Sequence, residues 1–295
     1  MIFTSGLSKP EGPVLLEDQS WLVAEMGDDR GCITRIKPDG RAREIVAKTG
    51  CPTGLAVDGQ GTIWVADSKP DSPAYLKVGL DEGIDPFLTS CNEDPLLFPN
   101  DLAFGPDGDL YMTDSGVSRH AIEPDGKLCE NFLSLETDGK ILRANIKTNQ
   151  VEILDSGLRF ANGIAFDRDS NLYVCETFTG WVYKYRISDD RSFGRREAFA
   201  NVIIPGDRNG FLGPDGMAFD RDGRLYVAVF GQAAIVVLAL DGKIEKVIAT
   251  AGKYPSNVAF GPSGSKTIYV TECEHGTLEV FDTPQDGLPL HKNTG

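Results

Sequence analysis

The sequence predicts an all-β chain, a six-bladed β-propeller of four-stranded antiparallel blades. Three observations predict it: one phrase of about sixteen residues recurs six times along 295 residues, its copies are spaced at the size of a propeller blade, and the composition favours turns over helices. The copies are PEGPVLLEDQSWLVAE from Pro10, PTGLAVDGQGTIWVAD from Pro52, PNDLAFGPDGDLYMTD from Pro99, ANGIAFDRDSNLYVCE from Ala161, PDGMAFDRDGRLYVAV from Pro214 and PSNVAFGPSGSKTIYVTE from Pro255. Their starts are separated by 42, 47, 62, 53 and 41 residues.

Each phrase alternates apolar and polar residues on both sides of a Gly- or Asp-rich turn, the pattern of a β-hairpin. The runs between phrases alternate too. Cys32–Ala47 and Lys140–Asp155 each break once at a turn, so they supply the outer strand pair of a blade. The 62-residue interval is longer than a blade needs, and Gly116–Gly139 is expected to be a loop over one face. No linker, charge block or low-complexity tract divides the chain, which reads as one domain over residues 1–295. A TIM barrel would need amphipathic helices between strands, and helical periodicity is missing.

With 33 Gly, 17 Pro and 41% apolar residues, the chain has both the turns and the core such a fold requires. A formal charge of -15 argues against nucleic acid and anionic membranes as partners. It suits solubility, a cation-attracting pocket, or both. The six cysteines form no C-x-x-C pair and only three histidines exist, so a Cys/His zinc site has little support. No signal peptide or membrane span is read from the sequence, and a cytoplasmic protein with reduced thiols is expected.

Function is sought where the repeats differ. The second position of the phrase holds Glu11, Thr53, Asn100, Asn162, Asp215 and Ser256, all bearing oxygen. The inner strand of each blade lines the axis, so these six side chains are expected to ring one mouth of the channel. The return strand ends beside them, at Glu25, Asp67, Asp114, Glu176, Val229 and Glu272, and forms a second, largely acidic ring further out. Glu11, Asn100, Asn162 and Asp215 combine two carboxylates with two amide oxygens. Hard oxygen donors of this kind suit Ca2+ or Mg2+, with Mn2+ also possible; a polar channel holding only water is the plainer alternative. The segments Asp167–Asn171 and Asp220–Arg224 resemble fragments of a calcium-binding loop, but fall at hairpin turns and read as turn residues. His120 and His275 read as surface or pocket-edge residues, and no G-x-S-x-G elbow surrounds Ser115 or Ser256.

Glu11–Pro13, Phe98–Asp114, Ala161–Asp169 and Gly213–Ala228 carry a resemblance to the senescence marker protein/gluconolactonase/regucalcin-like family, which extends over essentially the whole chain. The Glu, Asn, Asn, Asp set also resembles that of phosphotriesterase and paraoxonase-type propellers. The resemblance implies a divalent metal, Ca2+ first with Mg2+, Mn2+ or Zn2+ as alternatives, held by Glu11, Asn100, Asn162 and Asp215. It also implies hydrolysis of a small-molecule lactone or related ester. Asp215 would be base or nucleophile and Glu11 would balance charge. Asn100 would face substrate as well as metal, and Asp114 and Glu176 would orient the amide ligands, water or substrate. Arg119 is the candidate for the sugar-binding arginine of gluconolactonases, although the motif around it departs from theirs. A phosphotriesterase-type hydrolase and a non-catalytic calcium-binding propeller are the alternatives, and a monomer or dimer is expected.

Overall fold

A computed structural model of the protein describes residues 1–79, 83–188, 190–206 and 210–293. Six four-stranded antiparallel sheets follow one another in sequence order. The inner two strands of every blade are the two halves of one phrase. In the first blade they are Pro10–Leu15 and Trp21–Glu25, followed by Cys32–Ile36 and Arg43–Lys48. The third blade runs Pro99–Phe104, Leu110–Asp114, Gly139–Asn145 and Gln150–Leu158. Both outer pairs read from the sequence fall on strands.

The sixth blade departs from that simple succession. Its three inner strands, Pro255–Phe260, Thr267–Glu272 and Thr277–Asp282, are completed by Ile2–Ser5 from the other end of the chain. The ring is closed by strand pairing between sequence-distant segments, which leaves no open gap between first and last blade.

The core is divided among the blade interfaces. Six apolar clusters each join two adjacent blades. One packs Tyr173, Cys175 and Val182 of the fourth blade against Met217, Phe219, Val227 and Val236 of the fifth. Another packs Trp21, Val23 and Ile36 of the first against Leu278, with Tyr269 at its edge, of the sixth. The middle strands are buried on both faces, and Trp21–Glu25, Leu110–Asp114 and Ala234–Leu238 are buried along their whole length.

The hairpin turns lie on the face opposite the phrase starts. There Asp167 Oδ1 accepts from the backbone N–H groups of Asp169 and Asn171, both at 2.9 Å, and Asp220 Oδ1 does the same for Asp222 and Arg224. The calcium-loop-like segments are Asx turns, as their placement suggested. Asn293 reaches the same face: its backbone oxygen accepts from Gly59 N–H, and its side-chain amide donates to the Gly108 carbonyl.

Candidate active site at the propeller mouth

Every inner strand breaks register with its partner at its first residues. The shifts lie between Glu11/Val14, Pro52/Leu55, Pro99/Asp101, Ala161/Ile164, Pro214/Met217 and Pro255/Asn257. A bulge leaves one residue unpaired and re-aims its side chain, and in all six blades it falls on or beside the second position of the phrase. The same local device thus places Thr53, Asn100, Asn162, Asp215 and Ser256 within the irregular start of an inner strand and Glu11 at its border. The glycines beside them permit close approach at the axis. A Cβ on Gly163 would lie 2.1 Å from the Asp215 carbonyl oxygen, and one on Gly12 2.5 Å from that of Thr53.

The mouth is held by hydroxyl links between blades. Thr53 donates to the Pro99 carbonyl at 3.2 Å, Ser115 to Ala161 at 2.9 Å, Thr177 to Pro214 at 2.9 Å and Ser256 to Pro10 at 2.7 Å. Each acceptor is the first residue of the next phrase. Asn100 Nδ2 donates to Ser115 Oγ and Asn162 Nδ2 to Thr177 Oγ1, both at 3.0 Å. These bonds spend amide hydrogens on the scaffold and leave the amide oxygens as donors for a cation. Thr53 and Ser256 are therefore fixed by structural bonds, whereas Glu11, Asn100, Asn162 and Asp215 keep oxygen available.

These four side chains are nearly sealed from bulk solvent, with residue exposures of 6, 8, 4 and 9%. Burial pushes the Glu11 carboxyl up to about 8, with the Asp101 charge adding to the rise. Asp215 is raised well above the ordinary carboxylate range by burial and then by the charges of Glu11 and Asp101, against a hydrogen bond from Asn162. Asp101 itself is pushed up to about 7 by burial, despite accepting from Leu102 N–H at 2.9 Å and Ile164 N–H at 3.2 Å. No Lys, Arg or His is among the groups that shift these three acids. Three buried carboxyls without a cationic partner are stable only when protonated or when a cation is supplied. The donor chemistry fits a hard divalent ion. Among the described residues no group of three His, Cys, Asp or Glu is disposed as a metal shell, so such an ion would depend on the two amide oxygens as well as the two acids.

Asp101 and Asn257 were not singled out from the sequence. They occupy the third position of the phrase, where the other four blades have Gly12, Gly54, Gly163 and Gly216. Asn257 Nδ2 donates to Glu11 Oε2 at 3.1 Å and so orients one candidate ligand. A Cβ on Gly54 would lie 2.4 Å from Asp101 Oδ1, and one on Gly216 2.0 Å from Asn257 Oδ1. The glycines make room for these two side chains. Reading the third column as well as the second would have revealed them as the only non-glycine members.

The outer acidic ring is placed differently. Asp114 accepts from the N–H groups of Leu97, Phe98 and Gly116 at 2.8, 3.1 and 2.8 Å. Glu176 accepts from Arg159 N–H at 2.7 Å and from Tyr183 at 3.2 Å. Glu25, Asp67 and Glu272 likewise accept from Ser8, Cys51 and Tyr254 N–H. In each case the acid holds the segment that enters its own blade. Arg119 lies on a short helix, Arg119–Ile122, capped by Ser118 Oγ. Its guanidinium is occupied by Glu123 and by the Cys51 thiol. The excursion that carries it folds over the mouth side, burying Val117, Ile122 and Phe132 with Phe160.

Comparison with known proteins agrees with this architecture. The family profile described as SMP-30/Gluconolactonase/LRE-like region matches residues 10–274. The diisopropyl-fluorophosphatase of Loligo vulgaris is 32% identical, over 99% of this chain and 94% of its own. The gluconolactonase of Zymomonas mobilis is 26% identical over 95% of this chain and 80% of its own. The solved structure of regucalcin from Agrobacterium tumefaciens, described as a calcium-binding protein, superimposes with a TM-score of 0.73 at 17% identity, covering 97% of this chain and 96% of that one.

Proposed function

This chain belongs to the SMP-30/gluconolactonase/LRE-like family, and we propose that it is a metal-dependent hydrolase that opens a lactone or related cyclic ester at the propeller mouth. The observation that carries the reading is that Glu11 and Asp215 are buried and act on one another, raised by burial and then by neighbouring acids, with the Asn162 amide on Asp215 and no basic side chain among the groups acting on them. Asn100 takes the corresponding buried position in the third blade.

Glu11, Asn100, Asn162 and Asp215 would hold the ion, calcium before magnesium, manganese or zinc. When bound, it supplies positive charge that keeps the two acids ionised and stabilises negative charge on the substrate carbonyl oxygen. Asp215 takes the proton of the attacking water or attacks the carbonyl carbon itself. Glu11, oriented by Asn257, balances the charge of the centre. Asn100 and Asn162 are held by Ser115 and Thr177, which fixes their amide oxygens for the ion, and Asn100 would face substrate as well. The excursion after Asp114 shields the mouth from water through Phe132 and its neighbours.

The test is calcium titration of chelator-stripped protein by calorimetry, followed by a lactone panel with and without chelator. The expected result is one ion bound per chain and turnover that chelator abolishes. Turnover indifferent to chelator would overturn the metal-dependent reading. A second reading, hydrolysis of a phosphotriester-like substrate at the same centre, is favoured by the 32% identity to diisopropyl-fluorophosphatase along nearly the whole chain. Fluoride release from diisopropyl fluorophosphate separates the two.

A further inference from the structure

The mouth is chemically lopsided. At the residue just before the phrase, the first two blades carry Lys9 and Cys51, whereas the third, fourth and sixth carry Phe98, Phe160 and Tyr254. Phe178 stands just past the return strand of the fourth blade, Phe230 ends that of the fifth, and Phe211 lies shortly before Asp215. Their rings form a continuous arc. Phe98–Phe160 centroids are 5.5 Å apart, Phe160–Phe211 5.3 Å, Phe211–Phe230 5.7 Å and Phe230–Tyr254 4.8 Å, with Phe178 stacked on Phe160 at 5.0 Å. Phe160 is buried under the excursion, but Phe98, Phe178, Phe211, Phe230 and Tyr254 keep exposed surface. Phe132 of the excursion packs on Phe178 and Phe211 at 5.6 Å each, and the remaining surface of these five residues is apolar and partly open.

Among the described residues, polar side chains along this half are largely committed; Arg159, over the Phe178 ring at 5.9 Å, donates to the Leu133 carbonyl. Ser115 and Thr177 donate to backbone carbonyls. The Gln232 amide closes both of its bonds on the Ile204 backbone, at 2.9 Å each. Arg119, on the far side, is tied to Glu123 and Cys51. A polyhydroxylated ring entering here would lose water at several hydroxyls and find few free partners, a cost of desolvation without compensation. An aryl or alkyl group would instead cover aromatic faces.

We propose that the aromatic arc is a specificity subsite, and that the substrate class of the centre is a lactone bearing an apolar aryl or alkyl substituent rather than a sugar lactone. This rests on the hydrolase reading above and narrows its substrate. The arc holds the substituent while the ester carbonyl lies among Asn100, Asn162 and Asp215.

The experiment uses calcium-loaded full-length protein. kcat/KM is compared for γ-phenyl-γ-butyrolactone, γ-butyrolactone and glucono-δ-lactone, and calorimetry compares binding of 4-phenylbutanoate and gluconate. The phenyl lactone is expected to exceed both others by about tenfold or more, and 4-phenylbutanoate to bind more tightly than gluconate. Phe178→Ala and Phe211→Ala should each cut the phenyl-to-unsubstituted ratio by about threefold or more, with Phe178→Leu between them and wild type. Equal or better turnover of glucono-δ-lactone, or both butyrolactones falling in proportion in the variants, overturns the subsite and leaves the hydrolase reading standing. No lactone turnover with tighter 4-phenylbutanoate binding has the opposite meaning: the subsite stands and the lactonase reading falls. No turnover and no binding preference ends both.

Discussion

The two acidic rings at the mouth look alike in the sequence and differ in what surrounds them. Both rings are buried, and burial raises Asp67 and Asp114 as it raises the inner pair, but Glu11 and Asp215, at the bulges, are raised also by neighbouring acids. In the outer ring, Glu25, Asp67, Asp114, Glu176 and Glu272 lie at the ends of regular strands, and each is met by backbone N–H groups of the segment entering its blade. Asp67, Asp114 and Glu272 accept two or three backbone N–H bonds, and Glu25 and Glu176 one each with side-chain hydroxyls beside it, so the scaffold compensates part of their charge. The inner acids have fewer such bonds, Glu11 accepting from Gly12 N–H and Asn257 on one oxygen and Asp215 from Asn162, and they retain oxygen for an outside cation. Position within the same repeat thus separates chemistry from architecture.

The comparison is broken most severely at Asp215. Asp215→Asn removes a donor charge and the proposed base, and kcat is expected to fall by about 10²–10⁴-fold with weaker calcium binding in calorimetry. Full turnover with metal bound would dismiss the assignment. Asp101→Asn sharpens the picture, because Asp101 belongs to neither ring yet charges the inner one. Its two oxygens each accept a backbone N–H, so an amide nitrogen placed at one of them leaves a buried donor facing a donor. Calcium affinity is expected to drop about 10–100-fold, with a stability loss of about 1–3 kcal/mol by denaturant titration. An unchanged calcium isotherm would remove Asp101 from the centre.

Glu272→Gln probes the outer ring. Glu272 accepts from Tyr254, Glu274 and His275 N–H, and the loss should be about 1–3 kcal/mol of stability with kcat of the folded protein retained. A fall in kcat without a fall in stability would give the outer ring a chemical role. The last test is one of pH. Glu11 and Asp101 have folded values of about 8 and about 7, above their ordinary 4.5 and 3.8. The folded metal-free protein therefore holds protons that the unfolded chain releases, and its stability is full below pH ~4 and declines as pH rises towards ~8. A thermal midpoint falling by several degrees over that window in chelator, with the decline suppressed by calcium, is the expected result. A midpoint that rises with pH in chelator would contradict the burial of protonated acids.

The blade number, the inner hairpins and the place of Glu11, Asn100, Asn162 and Asp215 at the buried starts of inner strands were all legible, because a period-two pattern repeated six times fixes strand and turn together. Asp101 and Asn257 were hidden by the same regularity. Each looks like a mere variation of a glycine column until the opposing glycines are seen to make space for them. The outer acids were legible as a ring but not as staples, since their partners are backbone N–H groups, which every residue but proline carries and no sequence pattern marks.

Repetition by itself determined the propeller and the row of oxygen-bearing residues, for local alternation is written in adjacent residues. Tertiary structure decided three other things: the closing of the ring by Ile2–Ser5, which of two acidic rings has the fewer hydrogen bonds, and the gathering of phenylalanines from separate blades into one arc. Each depends on contacts between residues far apart in the chain, where burial and the choice of partner, rather than residue type, set the energy of a charge or a ring.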